Sequence, residues 1–566
     1  MAESAPFFFL TRSARGATAN MQWNYGDILD AADRIAPPLR PALVHGERTI
    51  AWGQFTRRTN NLARALRARG VETGAKIAFY MRNSPEYSEA IAAGFKARLT
   101  HVNVNYRYVD HELVYLLDNA DAEAVIYAAE FAPRVDAIRA KLPRVRLWIE
   151  VADGHPGAEE ALPYEQLVGD GDGAPLGIER SGDDLLFLYT GGTTGMPKGV
   201  MWRHHDLWCV LGAGGNPRIG TPPSANLADY VERLKREPVP VNLPLPPLMH
   251  GTGLLSAINA MMHAGTCVTL PGRSFDADVA LAAIDRHRVT AATIVGDAFA
   301  RPIVEALDAA NGRYDFSSLK AINSSGVMWT REIKAGLLRH NPELVLVDGF
   351  SSSEAIGLGS SVMTKDATVE VAKFTLGPSC RVFDDQMRLV DAEPGATGMV
   401  GVAGFLPIGY YKDPEKTART FPVVDGVRYS IPGDWVRIEA DGSLTLLGRG
   451  SNCINTAGEK VFPEEVEEAI KAHPSVADAL VVGIADARWG QSITAVVQLV
   501  AGAALDEIAL KDFLRVALAG YKLPKRILAK DDLERAPNGK ANYKLIKEFA
   551  ERTLAKKGSD PGLLAI

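Results

Sequence analysis

The sequence predicts an α/β protein: a large N-terminal domain with helix-covered parallel sheets plus a β-rich subdomain, and a small mobile α+β C-terminal domain. Three observations lead to this prediction. The chain has 566 residues, which is more than one compact core holds. Short apolar segments alternate with amphipathic ones, a pattern typical of βαβ units. A Gly-Arg-Gly-Ser stretch at 448–451 then precedes a smaller block of mixed elements.

The predicted elements follow in chain order. In the first part we expect strands at 76–80, 101–106 and 123–127, and helices at 85–96 and 112–119. The alternation returns as strand, helix and strand at 266–270, 279–288 and 290–295. In the last block we expect helices at 464–473, 510–519 and 543–554, and strands at 479–482 and 493–499. The proline-rich residues 217–247 are interpreted as a lid-like insertion or a surface excursion.

Composition divides the chain into three segments. Residues 1–20 are small, polar and irregular, so we interpret them as a disordered extension, with Met21 as an alternative start. Residues 21–449 form the expected N-terminal domain. Residues 450–566 form the expected mobile C-terminal domain, because the glycine at 450 frees the connecting backbone.

Charge and cysteine content exclude several classes of protein. The net charge of −6 gives no electrostatic footprint for nucleic acid, so negative ligands need local binding loops. The four cysteines lack metal-ligand spacing, which favours a reduced, cytoplasmic setting over a disulfide framework. No apolar run reaches the roughly 18 residues of a membrane helix, and the apolar run at 7–10 is too short for a signal sequence.

The stretch from 185 to 200 carries most of the functional information. An apolar strand leads into a loop of small residues that ends in a lysine, namely Thr190, Gly191, Gly192, Thr193, Thr194, Gly195 and Lys198. Glycines let the backbone approach a bulky anion, successive N–H groups form an anion-binding nest, and the lysine adds a positive charge. This chemistry suits a nucleotide triphosphate, although the P-loop spacing is absent. A flexible surface loop is the alternative interpretation.

The loop resembles a known family. Tyr-Thr-Gly-Gly-Thr-Thr-Gly-x-Pro-Lys-Gly at 189–199 is similar to the phosphate loop of the adenylate-forming superfamily, which includes acyl-CoA synthetases, peptide adenylation domains and luciferases. The resemblance implies that the loop binds ATP and that Lys198 assists catalysis. The stretches 189–204, 296–302 and 458–467 are similar to bacterial fatty-acyl and steroid side-chain CoA ligases. That similarity implies a long or bulky apolar acid as substrate.

Two further motifs follow in family order. Pro-Pro-Leu-Met-His-Gly-Thr-Gly at 246–253 resembles the second family motif, which implies that His250 and Gly251 line the acyl site. A buried structural histidine is the alternative. Asn-Ser-Ser-Gly at 323–326 resembles the segment that lines adenine, which implies that Ser325 and Gly326 contact the nucleotide.

The segment Phe-Ser-Ser-Ser-Glu at 350–354 corresponds to the family's Tyr-Gly-x-Thr-Glu. The resemblance implies that Phe350 stacks on adenine, that Ser353 bonds a phosphate or carboxylate oxygen, and that Glu354 is a catalytic residue holding Mg²⁺. One carboxylate suits a magnesium ion whose other ligands are phosphate oxygens. Ser351 departs from the family's glycine. Taken alone, Glu354 would be a first-turn helix carboxylate that faces the helix dipole.

The remaining motifs lie on both sides of the predicted hinge. The resemblance implies that Asp434 bonds the ribose hydroxyls and that Arg449 contacts ribose or phosphate. Gly450 and Ser451 would form the hinge, where Ser451 departs from the family's usual Asp or Lys. The CoA tunnel would be lined by Ala457, Gly458 and Lys460.

Near the end of the chain, Pro-Asn-Gly-Lys at 537–540 opens a turn. The resemblance implies that Lys540 is the adenylation lysine, whose amine bridges the acyl carboxylate and the α-phosphate as negative charge develops. A lysine in such a turn would otherwise be a solvated surface residue.

The resemblance as a whole implies an ATP-dependent, AMP-forming acyl-CoA ligase, an acid–thiol ligase. It would activate a long-chain fatty acid or a bulky steroid side-chain acid as acyl-AMP and then transfer the acyl group to CoA. ATP, Mg²⁺ and CoA are the implied cofactors and co-substrates. The alternatives are a luciferase-like or other CoA-independent adenylating enzyme, and a degenerate acyl-adenylate-binding protein. A homodimer is left open.

Overall fold

A computed structural model of the chain describes residues 22–158, 160–192, 195–216, 221–327, 329–366, 373–452, 454–456, 459–486, 490–518, 520–536 and 539–558. The extension predicted at 1–20 and the alternative start at Met21 lie outside the described residues.

The helices of the described residues, α1 to α16 in chain order, span Tyr25–Ile35, Trp52–Ala68, Pro85–Lys96, Asp110–Asn119, Ala132–Arg139, Tyr164–Gly169, His204–Val210, Leu227–Arg236, Gly251–Met262, Ala277–His287, Asp297–Ala310, Arg331–His340, Pro414–Thr420, Pro463–Lys471, Glu507–Ala517 and Tyr543–Gly558.

The strands of the same residues, β1 to β28, span Pro41–His45, Arg48–Ala51, Lys76–Tyr80, Thr100–Asn103, Ala122–Ala128, Leu147–Val151, Leu162–Pro163, Leu185–Gly192, Gly195–Arg203, Val241–Pro244, Thr266–Thr269, Ala291–Ile294, Ala321–Ser325, Val345–Phe350, Gly359–Met363, Lys373–Leu376, Cys380–Phe383, Thr397–Ala403, Gly409–Tyr410, Val423–Val424, Val427–Ser430, Asp434–Ile438, Leu444–Arg449, Ile454–Thr456, Glu459–Val461, Val476–Asp486, Gly490–Leu499 and Arg526–Ala529.

The first sheet is mostly parallel and covered on both faces. Its strand order is β19-β9-β8-β4-β3-β5-β6-β7. The strands from β8 to β7 in this order are parallel to one another. Successive residues of β5 pack into apolar clusters on opposite faces of the sheet. Ile126 lies in the cluster with α3, and Val125 lies in the cluster with α4 and α5. Strands that are buried on both faces need apolar residues at every position, which explains the continuous apolar runs in the sequence.

The largest sheet joins a parallel half to an antiparallel half. Strands β1, β11, β10, β12, β13 and β14 are parallel in that spatial order. From β14 onward the sheet continues through antiparallel strands to β20, which form the β-rich part of the chain. The change from parallel to antiparallel pairing therefore falls at β14, directly before the predicted Phe-Ser-Ser-Ser-Glu segment.

The C-terminal block has its own sheet and its own core. Its strand order is β25-β24-β27-β26, and β28 pairs parallel with β27. Two apolar clusters hold this sheet against α14, α15 and α16, and their buried members begin at Ile454. The fold class predicted from the sequence is thus confirmed for the two domains and their sheets. The boundary between residues 449 and 450 stays a prediction.

One sequence interpretation is wrong in part. Residues 217–247 were expected to form a lid-like insertion or a surface excursion, but Val241–Pro244 is the buried strand β10 between β11 and β12. The surrounding prolines conceal this strand, because they interrupt the apolar pattern on both sides. Pro244 itself is accommodated at the last position of the strand. The same stretch also contains the helix α8, Leu227–Arg236.

Helix α3 shows how local sequence and packing agree. Ser84 caps its N-terminus by accepting a hydrogen bond from the N–H of Tyr87, and Pro85 occupies the first turn. Every residue of the helix is buried, including Lys96 at its end. The ammonium of Lys96 donates to Asp33 at 2.6 Å, to Thr59 at 2.9 Å and to Asn60 at 2.8 Å. These three partners compensate the desolvation of the charge.

We predict that Lys96→Met lowers the free energy of unfolding by about 3–5 kcal/mol, because it leaves the carboxylate of Asp33 buried without its cation. Lys235→Met is the matched control, because Lys235 pairs with Glu232 on the half-exposed surface of α8 and its loss changes stability by no more than about 0.5 kcal/mol. Urea-induced unfolding followed by tryptophan fluorescence measures both. Equal destabilisation by the two variants would contradict the prediction.

Candidate active site

The main cavity of the described structure has a volume of about 2480 Å³. It extends along the parallel strands β12, β13 and β14 and includes their carboxyl ends, where ligands bind in open α/β sheets. The C-terminal block closes one side of it with residues between 536 and 547. Both halves of the chain therefore contribute to one site.

The predicted site residues divide into three groups. Those that line the cavity are Thr190, His250, Gly251, Ser325, Gly326, Ser353 and Lys540. Described residues that lie outside its lining are Lys198, Phe350, Glu354, Asp434 and Gly450. Thr193, Thr194, Ala457 and Gly458 lie outside the described residues, as do the side chains of Arg449, Ser451 and Lys460.

The glycine–threonine loop is shorter than the sequence indicated. Strand β8 continues through Gly191 to Gly192, and strand β9 starts at Gly195, so the stretch is the tip of a β-hairpin. Thr190 and Lys198 are cross-strand partners in this hairpin. The expectation that this stretch is a loop ending at Lys198 is therefore wrong for the described residues 190–192 and 195–198, because ladder pairing extends to Gly192 and Gly195.

Lys198 is held by an acidic partner to which the sequence patterns assigned no role in the site. Its ammonium lies 2.8 Å from the carboxylate of Asp413, which also caps α13 by accepting from the N–H of Lys416. The hydrogen bond from Lys198, with that from the Lys416 N–H, lowers the pKa of Asp413, and the same bond raises the pKa of Lys198. The conspicuous Tyr-Tyr-Lys-Asp-Pro run at 410–414 was the available signal.

Glu354 is buried and oriented by a tyrosine from the same run. The hydroxyl of Tyr410 donates to one carboxylate oxygen of Glu354 at 2.7 Å, and Ser430 donates to the backbone carbonyl of Glu354 at 2.7 Å. Trp202 donates to the carbonyl of Ser353 at 2.9 Å. The second carboxylate oxygen of Glu354 has no hydrogen-bond partner among the described residues. The segment is thus fixed from three sides, with one oxygen left to accept a ligand.

Phe350 and Asp434 lie near the site without forming its wall. The ring of Phe350 packs 5.3 Å from that of Phe374 in an apolar cluster of the β-rich part, so its proposed stacking on adenine has no support in this geometry. Asp434 is buried at the start of β22 and is the cross-strand partner of Arg449 at the end of β23. The register of the β22–β23 pair therefore places Asp434 opposite Arg449, the two residues that the sequence motifs assigned to the ribose.

The backbone at the predicted hinge is a short 3₁₀ turn, Gly450–Asn452, between β23 and β24. The N–H of Gly450 donates to the carbonyl of Gly433 at 3.0 Å. A Cβ atom at position 450 would lie 2.8 Å from Nε1 of Trp435, so only glycine fits without a shift of the indole.

Lys540 enters the cavity from a tight turn. The N–H of Gly539 donates to Ala536 at 2.7 Å, and the N–H of Ala536 donates to the carbonyl of Lys540 at 2.9 Å. Arg535 fixes this turn: its guanidinium is paired with both carboxylate oxygens of Asp478 and donates to the carbonyl of Gly539 at 3.2 Å. The backbone before Lys540 is therefore anchored to strand β26 of its own block.

His250 faces this lysine from the N-terminal domain. It occupies the N-cap position of helix α9, and its own N–H donates to the carbonyl of Pro247 at 3.0 Å. Burial, assisted by the positive charges of Lys540 and Arg107, lowers the pKa of His250 to about 3. The imidazole is consequently neutral at physiological pH and adds no charge to the cavity.

We predict that Lys540→Met raises the pKa of His250, because it removes one of the two cations that oppose protonation, while burial keeps the pKa below its ordinary value. NMR titration of the histidine ring signals, assigned with His250→Gln, measures the shift. Lys544→Met is the matched control, because Lys544 lines the same cavity and is not one of the charges acting on His250. A shift of the His250 pKa in Lys544→Met without a shift in Lys540→Met would contradict this placement of Lys540 beside His250.

Comparisons with known proteins define the class. The family profile described as "AMP-binding enzyme" matches residues 31–410, and that of the "AMP-binding enzyme C-terminal domain" matches residues 465–540. The chain belongs to the AMP-binding enzyme family. This confirms the superfamily that the motifs resemble.

Individual relatives are similar over almost their whole length. The chain is 41% identical over 534 residues to the medium-chain acyl-CoA ligase Mig of Mycobacterium avium, covering 91% of this chain and 96% of that protein. It is 39% identical over 543 residues to the 3-oxocholest-4-en-26-oate–CoA ligase of Rhodococcus rhodochrous, covering 93% and 96%. The ATP-bound crystal structure of MatB from Rhodopseudomonas palustris has a TM-score of 0.78 at 25% identity, covering 94% and 100%.

Within the described residues, no helix has the length and apolarity needed to cross a membrane.

Proposed function

We propose that this chain is an ATP-dependent, AMP-forming acyl-CoA ligase for medium- to long-chain fatty acids or steroid side-chain acids. The observation that carries the proposal is the entry of Lys540 into one cavity together with Thr190, His250 and Ser353. The names of the relatives, which are CoA ligases of fatty and steroid acids, support the same reaction. ATP and CoA are the implied co-substrates, and a cytoplasmic location and a homodimer stay predictions.

ATP would lie between the hairpin tip and the strand ends. Thr190, the glycines that follow it, and Lys198 would surround the phosphates, and Ser325 with Gly326 would line the adenine. Asp434 and Arg449 would bind ribose, since their backbone pairing brings them together. For Lys198 to reach a phosphate, the ion pair with Asp413 must exchange for the more highly charged ligand.

The residues present fit a magnesium ion that arrives with ATP. No cluster of three or more His, Cys, Asp or Glu side chains in the described part of the chain could hold a metal by itself. Glu354 offers one oxygen while Tyr410 holds the other, and a single carboxylate suffices where phosphate oxygens supply the remaining ligands. When bound, the ion neutralises charge on the triphosphate.

In the first half-reaction, the acid's carboxylate attacks the α-phosphate, and pyrophosphate leaves. Two anions must approach each other in this step, so a positive charge between them lowers the barrier. Lys540 would supply that charge, because the turn that carries it is anchored by Arg535 and faces His250. Neutral His250 and Gly251 would form the wall beside the reacting carboxylate.

In the second half-reaction, the thiol of CoA attacks the acyl carbon and AMP leaves. A lysine fixed at the reacting centre would obstruct the thiol, so we infer that the C-terminal domain turns about Gly450 and Ser451 and withdraws Lys540. Ala457, Gly458 and Lys460 would then line the CoA tunnel.

The function is tested by measuring AMP release from a panel of carboxylates with and without CoA. We expect AMP from long-chain and steroid side-chain acids only when CoA is present, and weak activity with acetate. AMP formation that needs no CoA would support the luciferase-like alternative. An absence of AMP with every acid would support a degenerate acyl-adenylate-binding protein.

We predict that Lys540→Ala slows acyl-adenylate formation by about 10²–10³-fold, the scale of removing one preorganised charge-stabilising group. The same variant should convert supplied acyl-adenylate to acyl-CoA at nearly the wild-type rate. Pyrophosphate exchange and acyl-CoA formation measure the two half-reactions separately. Ser451→Pro is the converse variant, because proline fixes φ and stiffens the hinge, so it should slow the second step more. Equal loss of both steps in both variants would overturn the role of the moving domain.

A further inference from the structure

The face of helix α9 that lines the cavity is mostly polar. Its lining residues recur at helical spacing, and they are Thr252, Leu255, Ser256, Asn259 and His263, the last at the C-cap. The opposite face is apolar and packs in the core, through Leu254, Ala257, Ile258, Met261 and Met262. A wall that receives only a saturated alkyl chain needs no polar groups, so this distribution indicates a ligand with polar groups of its own.

The sheet opposite α9 continues the polar surface. Asn242 on β10 and Asn323 on β13 line the same cavity, and Asn242 is only 6% exposed. The carboxamides of Asn242, Asn259 and Asn323 make no hydrogen bond within the part of the chain that the structure describes. By contrast, Thr293 donates to Ser256 at 2.9 Å between sheet and helix. Three amides that face the cavity therefore retain donors and acceptors for a ligand.

His263 adds an acceptor at the far end. Its Nδ1 lies 2.9 Å from the carbonyl of Asn259, and since a carbonyl only accepts, Nδ1 carries the proton. Nε2 then keeps a lone pair, and burial lowers the pKa of His263, so the ring is neutral. The ring is flanked by Trp208 and Tyr230, each with its centroid 5.9 Å away. A neutral imidazole in this setting accepts a hydrogen bond from a hydroxyl.

The helix separates these groups from the reacting end of the acid. With a rise of 1.5 Å per residue, Asn259 lies about 14 Å and His263 about 20 Å along α9 from His250. An acid whose carboxylate lies beside His250 would therefore meet Asn259 in the middle of its body and His263 at its far end.

We propose that the acyl channel is built for an acid that carries oxygen functions along its body, with a hydroxyl group at the end distant from the carboxylate. The hydroxyl would donate to Nε2 of His263, and oxygens nearer the middle would accept from Asn259 and Asn242. A saturated acid of the same length would displace water from these groups and leave them unpaired, which is costly in a buried site. This inference rests on the proposed ligase function and specifies its substrate class.

The test compares ω-hydroxyhexadecanoic acid with hexadecanoic acid, in CoA-dependent AMP release by the full-length protein. We expect kcat/KM to be at least about tenfold higher for the hydroxylated acid, the effect of leaving one buried hydrogen-bonding group unpaired. In His263→Phe the two acids should move in opposite directions, with the hydroxylated acid losing and the saturated acid gaining. In Asn259→Leu both acids should gain, because neither carries an oxygen near the middle of its chain. A merely destabilised variant would lower both.

Leu255→Met is the matched control, because it changes shape on the same helix face without changing its polarity, so the ratio of the two acids should stay at the wild-type value. An equal or greater kcat/KM for hexadecanoic acid in the wild type would overturn the inference, and so would a proportional loss of both acids in the two polar variants. In either case CoA-dependent activity persists and the proposed function stands. Loss of CoA-dependent AMP release with every acid would overturn both.

Discussion

The site depends on one close approach, between the turn at Gly539 and the start of helix α11. Gly539 has φ of +72°, and a Cβ atom there would lie 3.0 Å from Cβ of Ala298 and 3.4 Å from the carbonyl oxygen of Val295. Glycine is thus required at 539, because the backbone has a positive φ and because a side chain would have no room beside Ala298 and Val295. Because Lys540 follows directly, this contact brings a cation from the C-terminal block to the strand ends of the N-terminal domain. The contribution of Lys540 to the low pKa of His250, which is caused mainly by burial, and the two-sided cavity both result from it.

The contact at Gly539 is made by small residues, while the side-chain pairs that hold the catalytic segments in place lie within each domain. Arg535 and Asp478 hold the turn within the C-terminal block, and Tyr410 holds Glu354 within the N-terminal domain. Between the two domains, Gly539 meets Ala298 and Val295 at the cavity, and the ring of Phe462 lies 6.1 Å from that of Trp435. A surface of this kind can separate and reform without repacking either core, which is what two successive half-reactions in one cavity require.

The fold was largely predictable because periodicity and capping act locally. Helix α3 begins and ends at the predicted residues, since Ser84 and Pro85 determine its start. Strand β10 was missed because its burial depends on neighbouring strands and prolines conceal its pattern. Among site residues, sequence motifs named Glu354 and Lys198, but their partners Tyr410 and Asp413 are more than 50 positions distant in sequence and meet them only after folding. A sequence pattern such as the run at 410–414 marks these residues, but it does not indicate which distant residue each of them pairs with.

In the proposed function, helix α9 would connect the catalytic end of the site to the part that selects the acid, while keeping the two mechanically separate. In the proposed function its first residues would adjoin the reacting carboxylate at His250. Its end carries His263, so the helix has the length of a long acid. Its apolar face is buried in the core of the N-terminal domain, which keeps the spacing between the two histidines constant. Lys540, in contrast, belongs to the C-terminal block. A change in the polarity of the α9 face can therefore alter which acid is bound, while the group that stabilises charge at the phosphate keeps its position.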